Sequence, residues 1–261
     1  MSQKFPKSSQ FNFNKNLVKH HKFVTHLDTF LASEPTGFEF KYESKVGDNA
    51  WHPSGDCLPS VTDLYEKATT PYVPRDISSS LQKTFLVGHF WHQVLQWATV
   101  EIGLAEPLAI ECKREFDWSD SGGSFNTRLE DRKPYHWISG SADIAPLVLP
   151  NSDEYLVDFK TMGNHDYKSA GMPAWAALKY EAQINIYMEL FDMEKSLIVA
   201  VQKDSPHDMK EFEFRRNQPL IDAIFDKWKF VSELVSANQP PSELDNEEFK
   251  LDGLFEGPIA Q

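Results

Sequence analysis

The stretch "EYLVDFKTM" (residues 154–162) constrains the fold more than any other part of the chain. Its apolar residues read as a buried strand, yet Asp158 and Lys160 sit among them. Strand side chains alternate, so Asp158 and Lys160 project from one face while Val157 and Phe159 enter a core on the other. Opposite charges on one strand face can form a simple ion pair, but such a pair adds little net stability and is costly to desolvate. The elements around the strand decide between a structural and a chemical reason for it.

"LAIECKREFDW" (108–118) alternates as a strand, and "HWISGSADIAPLVL" (136–149) is another, joined to residues 154–162 by the turn-like "PNSD". Upstream, "SSSLQKTFLVGHFWHQVLQWATVEIGLA" (78–105) reads as a long helix with Trp91, Leu95, Ala98 and Ile102 on its buried face. Downstream, "AWAALKYEAQINIYMELF" (174–191) is a second strong helix. "SLIVAVQKD" and "KEFEFRR" form a hairpin around "SPHD", and "LIDAIFDKWKFVSELVSA" (220–237) is a third helix that Pro240–Pro241 ends. Before these, "NLVKHHKFVTHLDTFLAS" (16–33) has near-helical apolar spacing, and "SVTDLYEKA" (60–68) is a short helix capped by Ser60 or Thr62. The order of helix, three strands, helix, two strands and helix predicts a mixed α/β core. Three regions are expected: a helical and irregular N-terminal arm (1–80), the core (81–235) and an acidic C-terminal tail (236–261).

The 261 residues, 41% of them hydrophobic, suit one domain with a real core. No apolar run approaches the roughly 20 residues of a membrane span, and no signal-peptide core begins the chain. Cys57 and Cys112 match no zinc spacing and favour a reducing, cytoplasmic setting. The net charge of −13 counts against bulk nucleic-acid coating, but not against an enzyme that holds a divalent metal in a carboxylate cleft. Lys4, Lys7, Lys15, Lys19 and Lys22 precede any acid, while Glu243, Asp245, Glu247, Glu248, Asp252 and Glu256 crowd the end. These read as a solvated arm and tail; the sharper alternatives are an arm that touches DNA and a tail that docks or mimics DNA.

Asp143, in "GSAD", lies where a hairpin brings the preceding strand toward Asp158. Two carboxylates a few ångströms apart repel unless a cation sits between them, and hard oxygen ligands suit magnesium or manganese. His92 neighbours the buried face of the long helix and reads either as a core histidine or as a third ligand, with His89 competing for that role. On the second helix Tyr180, Gln183 and Tyr187 share a face.

Taken in order, Gly88 to His92, "GSAD", "VDFK" and "YEAQINIY" resemble the RecB-type branch of the PD-(D/E)XK nuclease superfamily, which includes the CRISPR-adaptation exonucleases and stand-alone phage exonucleases. The resemblance covers roughly residues 85–215. It implies a restriction-endonuclease-like core, a central mixed sheet flanked by helices. It implies His92, Asp143, Asp158 and the backbone carbonyl of Phe159 as ligands for Mg²⁺ or Mn²⁺. Lys160 would position or activate the attacking water, and Gln183 and Tyr187 would match the Gln-x-x-x-Tyr signature that contacts DNA. Glu111 and Glu115, on the strand before, have no secure match. Many relatives hold an iron–sulfur cluster with four cysteines; Cys57 stands near the first position and none follows Gln183, so no cluster is expected. The implied activity is a DNA exonuclease of recombination, repair or replication, working in a bacterial or phage-infected cytoplasm on single-stranded DNA or a free end, with a recombination or replication protein as partner. An endonuclease or nickase on the same site, or a silent DNA-end-binding module, are the alternatives. Tyr167, Lys168 and Trp175 are candidates for lining a strand path, and residues 35–80 and 119–135 for choosing ends over interiors.

Overall fold

The structure is a computed structural model, and it describes residues 23–31, 33, 37, 49–71, 79–118, 132–163, 174–203 and 209–259. Five strands, β1 (Ile110–Asp117), β2 (Trp137–Val148), β3 (Glu154–Met162), β4 (Lys195–Gln202) and β5 (Met209–Arg215), form a sheet in sequence order. The helices are α1 (Phe23–Leu31), α2 (Pro53–Asp56), α3 (Val61–Thr69), α4 (Ser79–Glu101), α5 (Ala174–Phe191), α6 (Gln218–Ala237) and α7 (Glu243–Glu248). The expected mixed α/β architecture is observed, a mixed sheet flanked by helices.

Only β3 and β4 pair in parallel. Parallel neighbours need a crossover, and α5 supplies it. Both sheet faces are therefore covered. On one, Phe23, Leu27 and Phe30 of α1 and Leu95 and Ala98 of α4 pack on Val157, Phe159, Leu197 and Val199. On the other, Ile184 and Met188 of α5 and Ile221, Ile224 and Trp228 of α6 pack on Ile138, Leu156 and Ile198, with Trp51 and Leu64 sealing the corner. β3 lies in the middle of the sheet with both faces covered, so it has no solvent-facing row to spare. Its two charges must then be met inside the protein.

Helix ends follow local chemistry. Ser60, not Thr62, caps α3 in a reciprocal box with Asp63, a device worth about 1 kcal/mol. The end of α6 is made by Asn238 in the left-handed conformation (φ 51°), whose N–H returns to Leu234 and Val235, before Pro240 is reached. The C-terminal tail is more than a solvated run of acids. Asn246 bonds to Thr62, Phe249 stacks on Phe230, and buried Glu181 of α5 accepts the N–H groups of Glu256 and Gly257 at 2.7 and 2.9 Å. Ile259 N–H then bonds to Glu213 O on the edge strand β5. The basic N-terminal lysines lie outside the described residues.

Candidate active site

The facing of β2 is irregular from Ala142 onward. Ile138, Ala142 and Ala145 belong to the α5–α6 side of the sheet, whereas Ile144 and Leu147 belong to the α1–α4 side, and the register with β3 shifts between Ile144 and Leu147. Asp143 sits at the first break in alternation. Ile110 pairs with Ile144 and Cys112 with Ala142, so Glu111 lies across from Asp143, and Glu111 has a left-handed backbone (φ 49°). The irregularity spans both strands and frees the Asp143 carboxylate from the regular pleat.

That carboxylate gathers three donors. Its Oδ2 accepts the Phe159 N–H at 2.6 Å, crossing to β3 where a backbone carbonyl would ordinarily do so. Its Oδ1 lies 3.2 Å from His92 Nδ1 and 3.3 Å from Gln96 Nε2, both on α4. Gly88, one turn before His92, brings α4 close to β3: a Cβ there would lie 3.3 Å from Thr161 Oγ1. It is His92, not His89, that reaches Asp143, and its ring stands edge-on to Phe159.

Asp158 and Lys160 share the face of β3 that looks toward α5, as alternation requires. They form an ion pair, and the Lys160 ammonium also lies 5.3 Å from the Tyr180 ring centroid. Asp158 Oδ2 is buried against the Lys160 ammonium. Gln183 Nε2 donates to the Tyr187 hydroxyl at 3.2 Å. Tyr187 and Leu190 press on Gly140, where a Cβ would come within 2.8 Å of Leu190 Cδ1 and 2.9 Å of Tyr187 Cε1. The glycine of "GSAD" is thus the spot where α5 settles on β2 and brings Tyr187 toward the carboxylates.

The electrostatics separate the two acids. Burial pushes the Asp143 carboxyl up, but His92, Lys160 and the Phe159 N–H outweigh it and hold it below its usual range. Asp158 goes the other way: burial dominates, Asp143 adds to it, and Lys160 only partly compensates. His92 and Lys160 both lose proton affinity through burial and regain more from the carboxylates, so both are held above their usual values. Burial, with Asp158 adding to it, also raises the Tyr187 phenol. The opposed shifts of two adjacent acids mark the kind of site where acid–base or metal chemistry is done.

The donor set fits a hard divalent cation. Asp143 and Asp158 offer oxygens, both carboxylates being buried, and His92 offers a nitrogen. Among the described residues no three His, Cys, Asp or Glu side chains stand at metal-holding spacing; the Lys160 ammonium lies against Asp158 instead.

The fold therefore brings together His92, Asp143, Asp158, Phe159, Lys160, Gln183 and Tyr187. Glu115 is not among them: it pairs with Arg132 and Lys113. Cys57 is buried in the core, with its thiol donating to Pro53 O at 3.2 Å. Tyr167, Lys168 and the Trp175 side chain lie outside the described residues, as does most of 119–135. Two residues missed in the sequence join the site, Gln96 and Glu111. Gln96 carried a signal, since it follows His92 by one helical turn. Glu111 carried none, because alternation along β1 fails at its own position.

No family model matches the chain, and no curated protein matches it. The solved structures similar to it at low identity include two. One is the crystal structure of SSO0001, 15% identical, covering 84% of this chain and 87% of that one with a TM-score of 0.44. The other is a phage related exonuclease from Haemophilus somnus 129PT, 18% identical, covering 69% of this chain and 82% of that one with a TM-score of 0.41.

Proposed function

We propose that the protein is a Mg²⁺- or Mn²⁺-dependent deoxyribonuclease of the RecB-type PD-(D/E)XK kind, hydrolysing phosphodiester bonds from DNA ends. The observation that carries this reading is the convergence of four separately spaced signals, His92, Asp143, Asp158 with Lys160, and Gln183 with Tyr187, on one part of the sheet. A merely structural Asp158–Lys160 pair has no need of a second carboxylate, a histidine and a buried Gln–Tyr pair beside it.

In this reading His92, Asp143, Asp158 and the carbonyl of Phe159 hold the metal. When bound, the cation supplies water activation and Lewis acidity at the phosphate. Lys160, a cation buried against Asp158, offsets charge on the non-bridging oxygens. Tyr180 limits where the lysine can go. Gln183 and Tyr187 orient the phosphate and the Lys160 side of the site. The Phe159 N–H fixes the direction of Asp143. The substrate is DNA with a free or single-stranded end, and the setting is recombination, repair or replication alongside another protein of that process.

The test is a digestion time course on end-labelled linear single- and double-stranded DNA beside a closed circle, with Mn²⁺, Mg²⁺ or EDTA, for wild type and Lys160→Ala. Metal-dependent loss of linear DNA alone, absent in the variant, supports the proposal. Cutting of the circle replaces it with an endonuclease, and equal inactivity of both proteins under every condition overturns it.

A further inference from the structure

Gln96 is buried, with 4% of its surface exposed, and its amide stands between two groups that can only accept when ionised. Its Nε2 is 2.9 Å from Glu111 Oε1 and 3.3 Å from Asp143 Oδ1. The other Glu111 oxygen accepts from Ser141 Oγ at 3.3 Å. An amide has a donating and an accepting end, and turning it over would aim its carbonyl at both carboxylates. Glu111 therefore locks the donating end toward Asp143. The lock is supported at a position where the backbone is itself unusual: Glu111 has φ 49°, in the region non-glycine residues avoid.

We propose that Gln96 and Glu111 are a positioning pair for Asp143, acting in the order Glu111 to Gln96 to Asp143. This rests on the reading of Asp143 as a metal ligand. His92 Nδ1 and Gln96 Nε2 share the Asp143 Oδ1 atom, while the Phe159 N–H holds Oδ2. If His92 turns away to bind metal, Oδ1 loses one of its two donors. Gln96 then becomes the side chain that keeps the carboxylate plane in place. Glu111 touches no reacting group in this scheme; it works by denying Gln96 its other orientation.

The test is a double-mutant cycle read by calorimetric titration of Mn²⁺, by kcat and KM on linear DNA, and by melting temperature. Gln96→Met keeps the side-chain volume and removes the donor. It is expected to raise the Mn²⁺ Kd by about 10-fold, in the range found for groups that orient metal ligands, and to lower kcat with little change in KM. Glu111→Ala shifts both in the same direction, and Glu111→Gln, which keeps an acceptor for Gln96, recovers most of the loss. Because the two act in series, the double variant is no worse than Gln96→Met alone. Wild-type Mn²⁺ affinity and kcat in a folded Gln96→Met protein overturn the inference. So do effects that multiply in the double variant, which would have Glu111 acting on its own. A wild-type protein that binds no Mn²⁺ removes the metal reading and this inference together, whereas tight wild-type binding with an unchanged variant removes only this one.

Discussion

Two lysines among the described residues, Lys227 and Lys160, are withdrawn from water and treated oppositely. Lys227 of α6, 2% exposed, donates to two neutral carbonyls, Cys57 O at 2.7 Å and Pro59 O at 3.1 Å. Burial drives its proton affinity down to about 8. Lys160 is buried beside Asp158 and near Asp143, and the carboxylates more than restore what burial removes. At the α6 corner the ammonium ties the chain after α2 to α6, and Trp228 Nε1 adds a bond to Asp56 O at 2.8 Å. There the contacts of Lys227 and Trp228 end on backbone carbonyls that hold the fold. At β3 the contacts join ionisable side chains, and two acids are pushed apart in proton affinity. A buried charge satisfied by backbone is architecture; a buried charge satisfied by other charges is available for chemistry.

The largest expected difference is in rate. Lys160→Ala should cut DNA hydrolysis by at least about 10²–10³-fold, the scale of losing one electrostatic stabiliser, with a melting temperature close to wild type. Lys227→Met should do the reverse. Two buried carbonyls lose their donor, so stability falls by about 1–3 kcal/mol while Mn²⁺ affinity stays. Equal effects of the two variants on rate and on stability would erase the contrast.

The pH dependence sharpens it. Lys227 binds protons less well folded than unfolded, so between about pH 8 and its unfolded value near 10.4 the unfolded chain holds more protons and stability rises with pH. Lys227→Met should lack that rise in a series of urea melts. His92 is shifted the other way by Asp143. Its contribution is fully present below about pH 6.5 and is lost as pH climbs through the raised folded value. The melting temperature of wild type, compared with His92→Gln, should lose its excess across that upward step. The smallest effect concerns Glu111. Glu111→Gly relieves the left-handed backbone and should raise stability by about 1 kcal/mol while weakening turnover, a trade that ordinary surface positions do not show.

Much of this was legible in the sequence because it rests on period and spacing. The strand 154–162 and the helix 174–191 have the bounds read from their apolar patterns. Asp158, Lys160 and the Tyr180–Gln183–Tyr187 face follow from alternation and helical turns. What escaped depends on events that leave no periodic trace. The four-residue α2 and the six-residue α7 are too short to show one. The docking of the tail on Glu181 uses backbone N–H groups that every sequence possesses. Asn238 ends α6 by adopting a left-handed conformation that asparagine permits but does not announce. The change of facing at Asp143, with the turn of Glu111, breaks the very alternation used to read β1 and β2, so Glu111 entered the site unforeseen, whereas Gln96 was legible from its helical turn after His92.

The most direct measurement is the melting temperature of wild type and Asp158→Asn, each with and without saturating Mn²⁺. If Asp158 is a buried acid kept for a metal, the variant alone melts at or above wild type, because an unfavourable buried charge is gone. Mn²⁺ at about 100 times its Kd then stabilises wild type by about 2.7 kcal/mol and the variant far less. If Asp158 serves the fold as the partner of Lys160, the variant melts well below wild type and Mn²⁺ moves neither protein, which would contradict the account.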